Sequence, residues 1–146
     1  MGKANEVEFR QPADFYSIEK STDTKLPIMV LFSSQYCVYC DFIKREYLSP
    51  MLISGDYTNR VIIKVVETDE ADEVRDFNGK VIDSDLFAGR YNVQFTPTVV
   101  FIDARGRELA TQIVGLGNED FYGGQIDEGI TQSHTLLRAG MKKTMQ

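Results

Sequence analysis

Pro27-Ile28-Met29-Val30-Leu31-Phe32-Ser33-Ser34-Gln35-Tyr36-Cys37-Val38-Tyr39-Cys40 is the stretch that decides the fold. From Ile28 to Phe32 every side chain is apolar, so a strand built from it needs cover on both faces and belongs in the middle of a sheet. Ser33-Ser34-Gln35-Tyr36 is polar enough to loop. Beyond it Val38, Phe42, Ile43 and Tyr47 recur near helical spacing, while Lys44, Arg45 and Glu46 can face water. The two cysteines therefore open a helix, which Ser49-Pro50 is expected to end.

Working outward, Val61-Ile62-Ile63-Lys64-Val65-Val66 is rich in β-branched residues and returns as a second strand. Strand, helix and strand form a βαβ unit, for which a right-handed crossover is expected. Residues 67–85 hold Glu67, Asp69, Glu70, Asp72, Glu73, Asp76 and Asp83 around an Asn78-Gly79 turn signal. They read as an acidic insertion, exposed and solvated rather than a core element or a docking surface for a basic partner. Ser84 can cap a short helix through Leu86, Phe87 and Tyr91, and Thr96-Pro97 introduces a strand from Thr98 to Ile102. A tight turn at Asp103-Ala104-Arg105-Gly106 sends the chain back as an antiparallel strand from Glu108 to Val114. Gly115 and Gly117 release it into a last helix begun by Asn118, with Phe121 or Tyr122, Ile126, Ile130 and Leu137 facing inward. Gly123, Gly124 and Gly129 argue against the regularity of that helix. At the other end, residues 1–25 form a polar extension with a short helix on which Phe15 or Tyr16 and Ile18 share an apolar face, expected to dock loosely.

The 146 residues, 42% of them apolar, suit one domain spanning 1–146. Sixteen basic against twenty-two acidic residues leave a net charge of -6, which disfavours a nucleic-acid or anionic-membrane surface. The longest apolar runs, Leu26 to Phe32 and Thr98 to Ile102, fall far short of the roughly 20 residues that span a bilayer, so a soluble chain is expected. The amino-terminal residues carry no apolar stretch. Either a cytoplasmic chain or one relieved of its signal peptide fits that pattern.

Free N–H groups and the helix dipole favour a thiolate at the start of a helix, which makes Cys37 the natural nucleophile. Cys40, one turn later, can reach it and resolve a mixed disulfide. A zinc half-site needs two further ligands, yet the chain has no other cysteine and one histidine, His134, read as an ordinary surface residue. No metal and no cofactor beyond the Cys37-Cys40 redox disulfide is expected. Tyr36, Tyr39 and Phe95 are candidates for an apolar rim, although Phe95 suits the core equally well.

Together, Phe32-Ser33-Ser34-Gln35-Tyr36-Cys37-Val38-Tyr39-Cys40 and Phe95-Thr96-Pro97-Thr98-Val99-Val100-Phe101-Ile102-Asp103 resemble the thioredoxin superfamily over roughly residues 26–140. The resemblance implies an α/β thioredoxin fold, a central mixed sheet with helices on both faces, and a cis-proline loop opposite the redox helix. Within it the chain looks most like SoxW-type extracytoplasmic thioredoxins, through Cys37-Val38-Tyr39-Cys40-Asp41, Asp76-Phe77-Asn78-Gly79, Arg90-Tyr91-Asn92-Val93-Gln94-Phe95-Thr96-Pro97 and Asp103-Ala104-Arg105-Gly106. That implies a periplasmic protein-disulfide reductase fed by a membrane thiol-electron transporter. Cys37 would attack, Cys40 resolve, and Tyr36, Tyr39, Thr96 and Pro97 bind substrate. Two departures stand out: Tyr36 replaces the usual tryptophan before the first cysteine, and Leu31 replaces the buried aspartate six residues before the nucleophile. Glu67 and Asp69 are nearby acids, and no general base is assigned. The connections after residues 48 and 67 are too short for the helical insertion of DsbA-type oxidases, so reduction is favoured over oxidation or isomerisation. The competing class is a non-catalytic interaction or redox-sensing module on the same fold.

Overall fold

A computed structural model describes residues 12–20, 25–69 and 71–144. Residues 1–11 and 21–24 of the expected extension, and Glu70 of the acidic stretch, lie outside it. The described elements are α1 (Phe15–Lys20), β1 (Ile28–Ser33), α2 (Val38–Ile43), α3 (Ser49–Ser54), β2 (Ile62–Glu67), β3 (Glu73–Arg75), β4 (Val81–Asp83), α4 (Ser84–Arg90), β5 (Thr98–Ile102), β6 (Ile113–Val114) and α5 (Glu119–Thr144).

Every residue of β1 is buried, as a strand apolar on both faces requires. It pairs parallel with β2, Ile28 opposite Ile62, and antiparallel with β5, Ile28 opposite Ile102. β6 completes a mixed sheet in the order β2-β1-β5-β6. On one face Val30 and Phe32 pack with Phe15 of α1, Phe87 of α4 and Tyr91. On the other, Met29 and Leu31 pack with Ile43, Leu48, Met51 and the Tyr122, Ile126 and Ile130 stripe of α5. This is the thioredoxin fold expected from the sequence.

Several expectations change. The helix does not end at Ser49-Pro50. Residues Lys44–Leu48 widen into a π-helical turn, in which Ser49 N–H reaches Lys44 O, and α3 follows with Pro50 in its first turn, where a missing N–H costs least. Helical backbone thus runs on to Ser54, and Gly55, at φ 77°, stops it. α4 begins at Ser84 with Asp83, not Ser84, as its N-cap, and Leu86 faces solvent. The return strand from Glu108 shrinks to a bridge between Ile102 and Glu108 plus the two residues of β6.

The amino-terminal helix is not loosely docked. Phe15 is fully buried and stacks on Phe87 with ring centroids 4.7 Å apart, a burial worth about 1.5–3 kcal/mol. Nor is the acidic stretch merely a solvated connection. β3 and β4 pair antiparallel, Val74 joins the core, and Asp76 is buried with both carboxylate oxygens held by Arg90 at 2.9 and 2.7 Å. Arg90, then the Phe77 N–H, hold the Asp76 carboxyl below its ordinary range. Composition hid this pair because its partners are fourteen residues apart.

Glycine in α5 is explained by packing at one position. A Cβ on Gly129 would overlap the buried Phe101 ring of β5, whereas one on Gly124 would meet nothing within 4 Å. Gly129→Ala is therefore expected to cost about 1–3 kcal/mol by overpacking, and Gly124→Ala to add about 0.5–1 kcal/mol of helix stability. Thermal denaturation of the two variants measures this, and equal shifts would refute the close helix-to-strand approach. For Asp76, a folded-state pKa below 3.8 means its contribution is complete above the unfolded value and disappears as pH falls through the lowered one. Asp76→Asn should cost about 1–3 kcal/mol at neutral pH. Its deficit should close in urea unfolding below about pH 4, whereas a constant deficit would contradict the charge pairing.

Candidate functional site

β1 delivers the chain into a loop whose last residue, Tyr36, has φ 59°. That left-handed conformation is rare for a bulky residue, and here it leaves the Tyr36 ring 95% exposed as the chain turns into α2. Cys37 is the N-cap of α2: its Sγ accepts the Cys40 N–H at 3.1 Å and its carbonyl accepts the Asp41 N–H at 3.1 Å. The two cysteines form a disulfide with Cα atoms 5.2 Å apart. Their surroundings differ sharply. Cys37 is half-buried at the helix tip, where unpaired N–H groups and the dipole favour negative charge on sulfur once the bond is reduced. Cys40, one turn in, has no solvent exposure.

The Thr96-Pro97 peptide is cis. The Ser34 and Thr96 hydroxyls are hydrogen-bonded at 2.7 Å, joining the loop before Cys37 to the loop before β5. Pro97 is buried, and its carbonyl accepts the Gly115 N–H at 2.8 Å. The accessible surface beside it belongs to Phe95 and Thr96. Phe95 is 67% exposed, so its core reading is corrected, and it joins Tyr36, Val38 and Tyr39 as a solvent-facing apolar rim. Val38 had been expected on the inward stripe; at the first position of α2 the core does not reach it.

The two acids near the site have different partners. Asp69 accepts the Gln35 N–H at 2.8 Å, and Thr68 donates from N and Oγ1 to Ser33 O at 2.9 and 3.0 Å. The segment after β2 thereby straps the loop before Cys37. Glu67 pairs instead with Lys44 at 2.7 Å, the two side chains being 29% and 20% exposed. Lys44 had been assigned to water, and no local pattern links it to a residue twenty-three positions away. Leu31 is fully buried, so a carboxylate is missing from that position. His134, far from this site, bonds through Nε2 to Arg60 O at 2.7 Å and so ties α5 to the approach to β2. Among the described residues no group of three or more His, Cys, Asp or Glu side chains could hold a metal ion, and no helix is long and apolar enough to cross a membrane.

Residues 15–122 match a family model described as a thioredoxin-like domain. No curated protein matches the chain. Among solved structures, a thioredoxin-fold protein from Helicobacter pylori is similar at 20% identity and a TM-score of 0.51, covering 90% of this chain and 98% of its own. Thioredoxin O2 from Arabidopsis thaliana in its oxidised state is similar at 21% identity and a TM-score of 0.50, covering 81% and 84%. Spinach chloroplast thioredoxin f is similar at 14% identity and 0.53, covering 85% and 90%. At such identities the likeness is one of fold.

The unequal exposure of the cysteines has a direct readout. After reduction, brief iodoacetamide treatment of the folded protein is expected to modify Cys37 and spare Cys40, as peptide mass mapping will show. Equal labelling of both would contradict the burial of Cys40.

Proposed function

The chain belongs to the thioredoxin-like family, and on that basis we propose that it is a thiol:disulfide oxidoreductase acting as a reductase of protein disulfides. The observation that carries this reading is the disulfide at the head of α2, one sulfur at the tip and the other beneath it. In the reduced protein the Cys37 thiolate attacks one sulfur of a substrate disulfide, and the other sulfur leaves as the first thiolate. Cys40, having lost its proton, then attacks Cys37 Sγ. The mixed disulfide breaks, the second substrate thiolate leaves, and the Cys37-Cys40 bond re-forms. Two electrons have passed to the substrate, whose sulfurs take up protons as thiols.

Substrate docking falls to the exposed rim. Tyr36, Val38, Tyr39 and Phe95 offer apolar area around the reacting sulfur, and Thr96 offers backbone beside it. Pro97 acts from below by shaping that loop. Aromatic rings with exposed faces suit an unfolded or extended protein segment, which presents backbone and apolar side chains together.

The finer assignment rests on the sequence resemblance to SoxW-type proteins. It makes the chain a periplasmic reductase supplied with electrons by a membrane thiol transporter, with protein disulfides as its substrates. The Val38-Tyr39 dipeptide and the short connections after residues 48 and 67 support reduction rather than oxidation.

Equilibration with glutathione, followed by alkylation and mass measurement, tests the direction. A reductase is expected to show a potential near about -270 mV, and a value near about -120 mV would make the protein an oxidant instead. The reduced protein should also speed insulin-disulfide reduction by dithiothreitol, and Cys37→Ser should abolish that acceleration. A parent protein without turnover would leave the family's non-catalytic interaction role as the better reading.

A further inference from the structure

In the loop before Cys37, the neighbours of Ser34 are held on both sides through their backbone by the segment after β2. Ser33 O accepts from Thr68, and Gln35 N–H donates to Asp69. The path of this loop is therefore fixed without the Ser34 side chain. Across the site, the loop before β5 has anchors of its own. The Thr98 hydroxyl donates to Phe95 O at 2.7 Å, and Pro97 O accepts the Gly115 N–H at 2.8 Å.

The Ser34 and Thr96 hydroxyls, 2.7 Å apart, join these two loops. Since each loop is already anchored elsewhere, their bond adds little to either path. What it sets is how far apart the loops stand. Tyr36 and Cys37 follow Ser34 on one wall, and exposed Phe95 precedes Thr96 on the other. Ser34 and Thr96 are themselves half-buried, so the bond lies at the margin of the substrate-facing surface rather than in the core. Either hydroxyl can donate, so any hydroxyl at position 34 satisfies the pair.

We propose that Ser34 is a positioning residue that favours protein disulfides over small ones, by holding the Phe95-Thr96 wall at a fixed distance from the Cys37 tip. This inference rests on the thiol-exchange reading and deepens it. An extended protein segment whose sulfur is bonded to Cys37 lays its chain across both walls. Binding to both at once is strongest when they already stand at the right separation. A small disulfide engages the sulfur alone and needs no second wall. Ser34 thus acts through Thr96 on the choice of substrate and takes no part in the bond exchange itself.

The test compares two disulfides. The full chain is reduced, desalted and mixed with excess insulin or with excess hydroxyethyl disulfide, and the loss of its thiols is followed by rapid alkylation and mass measurement. The ratio of the two second-order rate constants reads the selectivity. In Ser34→Ala this ratio should fall about three- to tenfold, the scale of one hydrogen bond. The loss should appear as weaker insulin binding when insulin concentration is varied. Ser34→Thr, which keeps a hydroxyl, should restore the parent ratio. Thr96→Val breaks the same bond from the other side and should lower the ratio too, and adding Ser34→Ala to it should lower it no further. An unchanged ratio in either folded single variant, or additive losses in the double variant, would overturn the proposal. So would equal slowing with both disulfides, because that places the effect on the sulfur. A parent chain that exchanges with neither disulfide would instead overturn the chemistry beneath the proposal.

Discussion

Everything at the redox centre depends on β1 being buried on both faces. A strand so covered has little freedom to slide, since a shift of one residue would make Leu31 and Phe32 exchange layers. The loop that follows therefore starts from a fixed point. Ser34 is then bonded to Thr96 before β5, while Gln35 and Ser33 are bonded to Asp69 and Thr68 in the segment after β2. The helix tip is held by three strands' worth of scaffold, although the residues that carry the chemistry lie in a loop and at a helix start.

The elements legible in the sequence are those whose pattern is local. Ile28 to Phe32 could be placed centrally because it has no polar face, and the helix after Cys37 announced itself by period. The cysteine pair was legible for the same reason, being separated by a single turn. What escaped was long-range. Phe15 looked like half of a weak amphipathic face until Phe87, seventy-two positions on, gave it a ring to stack against. Asp76 looked like one acid among many until Arg90 folded back on it. Pro50 read as a stop signal because the rule for proline assumes a regular helix, and a widened turn ahead of it removes the conflict.

The candidate site divides along the same line. Cys37, Cys40, Thr96 and Pro97 came from spacing and resemblance, whereas the Lys44–Glu67 pair and the hold of Thr68 and Asp69 on the loop before Cys37 emerge only from the packed structure. Position 31 carries the contrast best. A leucine there is fully buried and closes the layer beneath the helix, where composition alone gave no sign of what the position faces.

The sheet's borders bear on how the chain behaves in company. Among the described residues, β6 offers an incoming strand only two residues, and β2, the border on the other side, carries half-buried Lys64 at its middle. An extended segment therefore finds poor footing for adding itself to the sheet, since a short border and a central charge both resist strand addition. The fold is thus guarded against edge-to-edge association with other extended chains.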